Sequence, residues 1–110
     1  MKIKWPKIQP PQWSEKFIQG MIDRMAVSFY KYGDVADSKQ DLEANVERRI
    51  KKYRLTGNTE WLIDAANFCM IEFMKPTAED AHFAPTESSE SPGVHRIGER
   101  DASSRPNLKI

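Results

Sequence analysis

Hydrophobic residues recur at helical spacing in three separate stretches of this chain. In the first, Phe17, Met21, Met25 and Phe29 stand four residues apart, and Ile18, Ile22 and Ala26 widen the stripe. That pattern predicts an amphipathic helix over 14–31. Ser14 supplies the side-chain oxygen that a helix start needs. Gly20 lies in the middle, where glycine costs about 1 kcal/mol relative to alanine, so a close helix crossing is expected there.

The second stretch, Leu42, Val46, Ile50 and Tyr53, predicts a helix over 38–55. Ser38 and Asp41 have the spacing of a capping box, with Asp in place of the usual Glu. The sequence Leu55-Thr56-Gly57-Asn58 reads as its end, with Gly57 in the left-handed position. The third stretch, 59–75, opens on Asn58 or Thr59 as the cap and stops before Pro76. Its apolar residues are dense: Trp61, Leu62, Ala65, Phe68, Cys69, Met70, Ile71, Phe73 and Met74. An almost all-round apolar helix must be covered on several sides, which makes it the most buried of the three. It also predicts a homodimer or higher oligomer.

The expected fold is therefore all-α: a three-helix core over 14–75 in which the second and third helices form an antiparallel hairpin. Residues 1–13 hold Pro6, Pro10 and Pro11 and read as an extended arm. Trp5 and Trp13 on that arm either pack over the helices or dock onto another subunit or target. Residues 76–110 show no sustained period and carry Pro76, Pro85, Pro92 and Pro106, which predicts an irregular or disordered tail. Within it, the segment around His82 and Phe83 is the one expected to pack back on the body.

Composition narrows the class without naming a function. The 110 residues hold 17 basic and 16 acidic side chains, a formal net charge of +1. Such a balance gives no general attraction to nucleic acid or anionic membrane. Cys69 is the single cysteine, which excludes an intrachain disulfide and a thiolate metal site built from one chain. It is expected to be an inert buried thiol in a reducing compartment. The N-terminal residues lack the apolar core of a signal peptide, and no apolar run approaches the roughly 18 residues of a membrane span. A cytoplasmic protein with no membrane partner is the expectation. No glycine-rich phosphate loop or nucleophile elbow is present.

Two polar constellations remain. The acidic one comprises Glu43 and Glu47 on the second helix, and Glu60, Asp64 and Glu72 on the third. An antiparallel hairpin places Glu43 near Glu72 and Arg54 near Glu60, which suits salt bridges better than one metal cluster. Asp64 interrupts an apolar run and needs a cation or several donors if buried. Arg49, Lys52 and Arg54 are its expected partners, with a metal or ligand role as the alternative. Asn67 follows three residues later and shares its face. The basic constellation is Arg48, Arg49, Lys51, Lys52 and Arg54, crowded at the end of the second helix. A solvated helix end accounts for it, since bases there favour the helix dipole. As a patch it would suit phosphate or an acidic protein. Helix-turn-helix DNA reading is disfavoured, because the third helix has few polar side chains to offer base edges.

Asp64-Ala65-Ala66-Asn67-Phe68 resembles the second acidic motif of the MazG-like all-helical nucleotide pyrophosphohydrolases, in which an aspartate is followed three residues later by asparagine and then an aromatic. The resemblance implies a Mg²⁺-dependent enzyme, oligomeric and helical, that cleaves nucleoside triphosphates to monophosphate and pyrophosphate. It makes Asp64 a metal ligand and Asn67 a nucleotide contact, and such an enzyme would draw further ligands from some of Glu43, Glu47, Glu60 and Glu72. The sequence departs from the family in two places. Glu60 is one residue away from the position matching the family glutamate, where Trp61 stands, and Glu43 and Glu47 are four apart rather than three. The stretch from Tyr53 to Met74, with Ala81-His82-Phe83 and Glu90-Ser91-Pro92-Gly93, is also similar to small proteins of unassigned activity carried by bacteriophages and prophages. That likeness implies a non-enzymatic protein, without catalytic residues or cofactor, that binds a host or phage macromolecule.

Overall fold

The structure is a computed structural model and describes residues 4, 6–7, 12–34 and 39–98. Three α-helices make its body: α1 (Glu15–Tyr32), α2 (Leu42–Thr56) and α3 (Glu60–Met74). One short 3-10 turn, Ser88–Glu90, follows them, and the described residues include no strand.

The helix ends follow from local chemistry. Ser14 accepts a hydrogen bond from the Phe17 amide at 3.1 Å and starts α1. Gly33, at φ 80°, closes that helix with its amide on the Phe29 carbonyl. At the start of α2, the Asp41 carboxylate accepts from the Ala44 amide at 3.0 Å, and the Asn45 side chain bonds the Asp41 carbonyl. The helix therefore begins at Leu42 rather than at 38, because the residue expected to support the cap is itself the cap. Ser38 lies outside the described residues. Gly57 takes the left-handed conformation (φ 73°, ψ 3°) and donates to the Tyr53 carbonyl at 2.7 Å, ending α2. Three residues, Gly57, Asn58 and Thr59, separate α2 from α3. Asn58, not Thr59, supplies the side-chain oxygen that receives the Glu60 amide, at 3.0 Å.

α2 and α3 form an antiparallel hairpin with the most extensive contact in the molecule, and α1 packs on α3 from another side. The pairing is visible along its length: Arg49 lies over the Phe68 ring, while Leu42 shares a recess with Ile71, Glu72 and Lys75. α1 crosses α3 where Gly20 meets Ile63. A Cβ at residue 20 would stand 2.7 Å from Ile63 Cδ1, so glycine permits the approach.

α3 holds every buried residue among those described: Ala65, Ile71 and Asn67. The coverage is nonetheless thin. Cys69 is exposed, which corrects the expectation of a buried thiol. Phe73 and Met74 are 74% and 58% exposed, and α1 leaves Ile22 and Phe29 more than half exposed. Phe83 is 79% exposed, so it does not pack back on the body as the sequence suggested. It sits in a segment without regular secondary structure. Trp13 is half-buried, whereas Trp5 and most of the arm lie outside the described residues, as does the chain beyond residue 98.

Candidate functional site

The polar pair of α3 is where the helices meet. Asp64 and Asn67, three residues apart, both turn toward α1. The Asn67 Nδ2 donates to the Met21 carbonyl at 3.1 Å. The Arg24 Nε donates to Asp64 Oδ1 at 3.3 Å, and this is the one salt bridge among the described residues. Sequence reasoning expected an α2 base as the partner of Asp64 and missed Arg24. The available signal was its position: Arg24 lies within the apolar stripe of α1, between Met21 and Met25.

Arg49 has turned inward instead. Its guanidinium sits 4.3 Å from the Phe68 ring centroid, and its Nη1 donates to the Asn45 side chain at 2.9 Å. Stacking on an aromatic face suits the flat, weakly hydrated guanidinium. Among the described residues, two buried side-chain polar atoms have no hydrogen-bond partner, Arg49 Nε and Asn67 Oδ1.

These residues line one open cavity of about 330 Å³, walled by Arg24, Arg49, Trp61, Asp64, Asn67 and Phe68. Its size is at the low end for small-molecule sites. Two guanidinium groups against one carboxylate leave it with a positive balance, and the rings give it apolar walls. It is suited to a small anion with an apolar body.

The remaining carboxylates do not join Asp64. Glu43, Glu47 and Glu60 are exposed, and Glu72 accepts from the Thr77 amide at 2.7 Å and from its hydroxyl. Among the described residues no three His, Cys, Asp or Glu side chains are grouped so as to hold a metal ion. Among the described residues, Glu43, Glu47, Glu60 and Glu72 are thus not gathered around Asp64, whereas a Mg²⁺ site draws its oxygen ligands together.

The basic residues divide. Arg49 belongs to the cavity, while Arg48, Lys51, Lys52 and Arg54 are exposed on α2. Arg48, Lys51 and Arg54, with Val46, Glu47 and Ile50, line a second groove of about 420 Å³ along the outer side of that helix. Among the described residues no helix is long and apolar enough to cross a membrane. Comparison with protein-family models, curated proteins and solved structures finds no match to this chain.

Proposed function

We propose that this protein is a small non-enzymatic interaction module of phage type, cytoplasmic, homo-oligomeric, and active by binding a host or phage macromolecule. The observation that carries the reading is the thinness of its interior. The described residues bury two apolar side chains, Ala65 and Ile71, while Ile22, Phe29, Leu55 and Phe73 stand exposed on the helices. A chain of this size has little core to spare, and apolar helix faces left in water are the common mark of a surface that meets another protein. The exposed bases Arg48, Lys51, Lys52 and Arg54, together with Trp13, offer contacts to an acidic or phosphate-bearing partner. Trp5 belongs to the same expectation but lies outside the described residues.

A second reading, the Mg²⁺-dependent nucleoside triphosphate pyrophosphohydrolase, is favoured by one observation. Asp64 and Asn67, the residues of the MazG-like motif, share a cavity with Arg24 and Arg49. The separated carboxylates count against it. One experiment addresses both: affinity capture from a host lysate, run beside a nucleoside triphosphate screen in Mg²⁺. The interaction reading expects a specific stoichiometric partner and no turnover. Pyrophosphate release that disappears in a folded Asp64→Ala protein would overturn it.

A further inference from the structure

We infer that the outer face of α2 is the surface on which a second copy of the chain docks, antiparallel and about a two-fold axis midway along the helix between Glu47 and Lys51. The inference rests on the homo-oligomer proposed above and assigns its interface. Three observations carry it.

The first is charge order. Along α2 the exposed acids Glu43 and Glu47 come first, and the exposed bases Lys51 and Arg54 come last. None of the four has an ion-pair partner among the described residues. Turned end for end on itself, this helix sets Glu47 opposite Lys51 of the second copy and Glu43 beside Arg54 of the second copy. Each pairing occurs twice by symmetry, as an isologous contact requires. A parallel arrangement would set acid on acid and base on base.

The second is the groove on that face, to which Val46 and Ile50 contribute apolar surface beside the charged line. A two-fold axis lying across the helices keeps each flank on its own side. It therefore gathers Val46 and Ile50 from both copies into one cluster next to the ion pairs.

The third is scale. α2 has 15 residues, a contact about 22 Å long at 1.5 Å per residue. At a helix diameter of about 10–12 Å such a strip covers on the order of 200–300 Å², below the roughly 800 Å² per partner of a stable standard interface, so the dimer is a weak one. Exposed ion pairs add little affinity and instead set orientation and register. Antiparallel helix dipoles favour the same arrangement.

The test is a charge exchange read by sedimentation equilibrium from 10 to 200 μM. Wild type is expected to dimerise, more weakly in 0.5 M salt. Glu47→Lys alone places lysine opposite lysine, and Lys51→Glu alone places glutamate opposite glutamate, so each should weaken self-association about tenfold, or 1.4 kcal/mol. An equimolar mixture of the two variants should associate again, as a heterodimer in which both contacts are of opposite sign, one reversed and one as in wild type. Restored charge pairing within one helix cannot produce that result. Should either variant lose its helical circular dichroism, Glu43→Lys and Arg54→Glu form the replacement pair. A wild-type dimer indifferent to these changes overturns this interface and leaves the oligomer standing. A wild-type monomer at 200 μM overturns both, as does a monomer whose basic end binds a single-stranded oligonucleotide instead.

Discussion

The guanidinium of Arg24 and the carboxylate of Asp64, forty residues apart in sequence, tie α1 to α3 through a single Nε–Oδ1 contact of 3.3 Å. The carboxylate is the more sheltered partner: the Asp64 side chain is 17% exposed and that of Arg24 is 38% exposed. The contact is a half-open, singly bonded pair at a helix junction, not a desolvated one.

That geometry sets the cost of breaking it. Removing one partner of a fully buried pair costs about 3–5 kcal/mol, whereas solvent-screened pairs contribute about 0–1 kcal/mol. Asp64→Ala should therefore destabilise the fold by about 1 kcal/mol, because Arg24 can turn to water. Urea denaturation without added metal checks this. A stability gain would instead mark Asp64 as a ligand residue held in place at the expense of the fold, and would move the enzyme reading to first place.

Asn67 behaves differently, since it is buried and half-satisfied. Its Nδ2 donates to the Met21 carbonyl, while its Oδ1 has no partner. Asn67→Leu keeps the branched shape and removes the orphaned acceptor, so it should change stability by less than about 1 kcal/mol. Asn67→Ala leaves a space on α3 and should cost about 1–2 kcal/mol. The two variants' denaturation midpoints decide the matter. A leucine variant less stable than the alanine one would mean that the amide is required for more than the bond to Met21.

What was legible in the sequence was what neighbouring residues settle among themselves. Ser14, Gly57 and Pro76 mark helix ends through their own side-chain and backbone chemistry, and the three-residue spacing of Asp64 and Asn67 put them on one face in advance. In Ser38-Lys39-Gln40-Asp41 two caps compete, and Asp41 wins because it directly precedes Leu42, the first residue of the apolar stripe. Arg24 was not legible, because choosing it over Arg49 depends on which helix packs on which face of α3. Nor was the exposure of Cys69 and Phe73. An apolar helix states that it should be covered, not that α1 and α2 leave one side open. The cavity suffers most from this limit, since its walls come from all three helices.

The segment beyond α3 bears on stability less than its apolar residues suggest. Phe83, Val94 and Ile97 are 79%, 83% and 107% exposed. Side chains already in water lose nothing when made polar, and surface changes away from special features stay within about 0.5 kcal/mol. The triple variant Phe83→Ser, Val94→Ser, Ile97→Ser should melt within about 2 °C of wild type. A larger fall in calorimetry would show that one of them packs against the body in solution.

The crossing of α1 over α3 offers the most sensitive test of the packing. Glycine in a helix interior costs about 1 kcal/mol relative to alanine, so Gly20 is retained against the propensity of α1. The reason is Ile63, whose Cδ1 would stand 2.7 Å from a Cβ at residue 20. That atom is the far end of a side chain that can rotate, so Gly20→Ala sets a propensity gain against a modest repacking cost and should be neutral within about 1 kcal/mol. Ile63→Val removes the clashing methyl and alone should cost about 0.5–1.5 kcal/mol. Together the two changes should be more stable than their sum predicts by at least about 0.5 kcal/mol, because the valine makes room for the new methyl. Gly20→Leu cannot be accommodated and should cost more than about 2 kcal/mol. Strict additivity of the alanine and valine changes in a denaturation cycle would mean that α1 crosses α3 elsewhere.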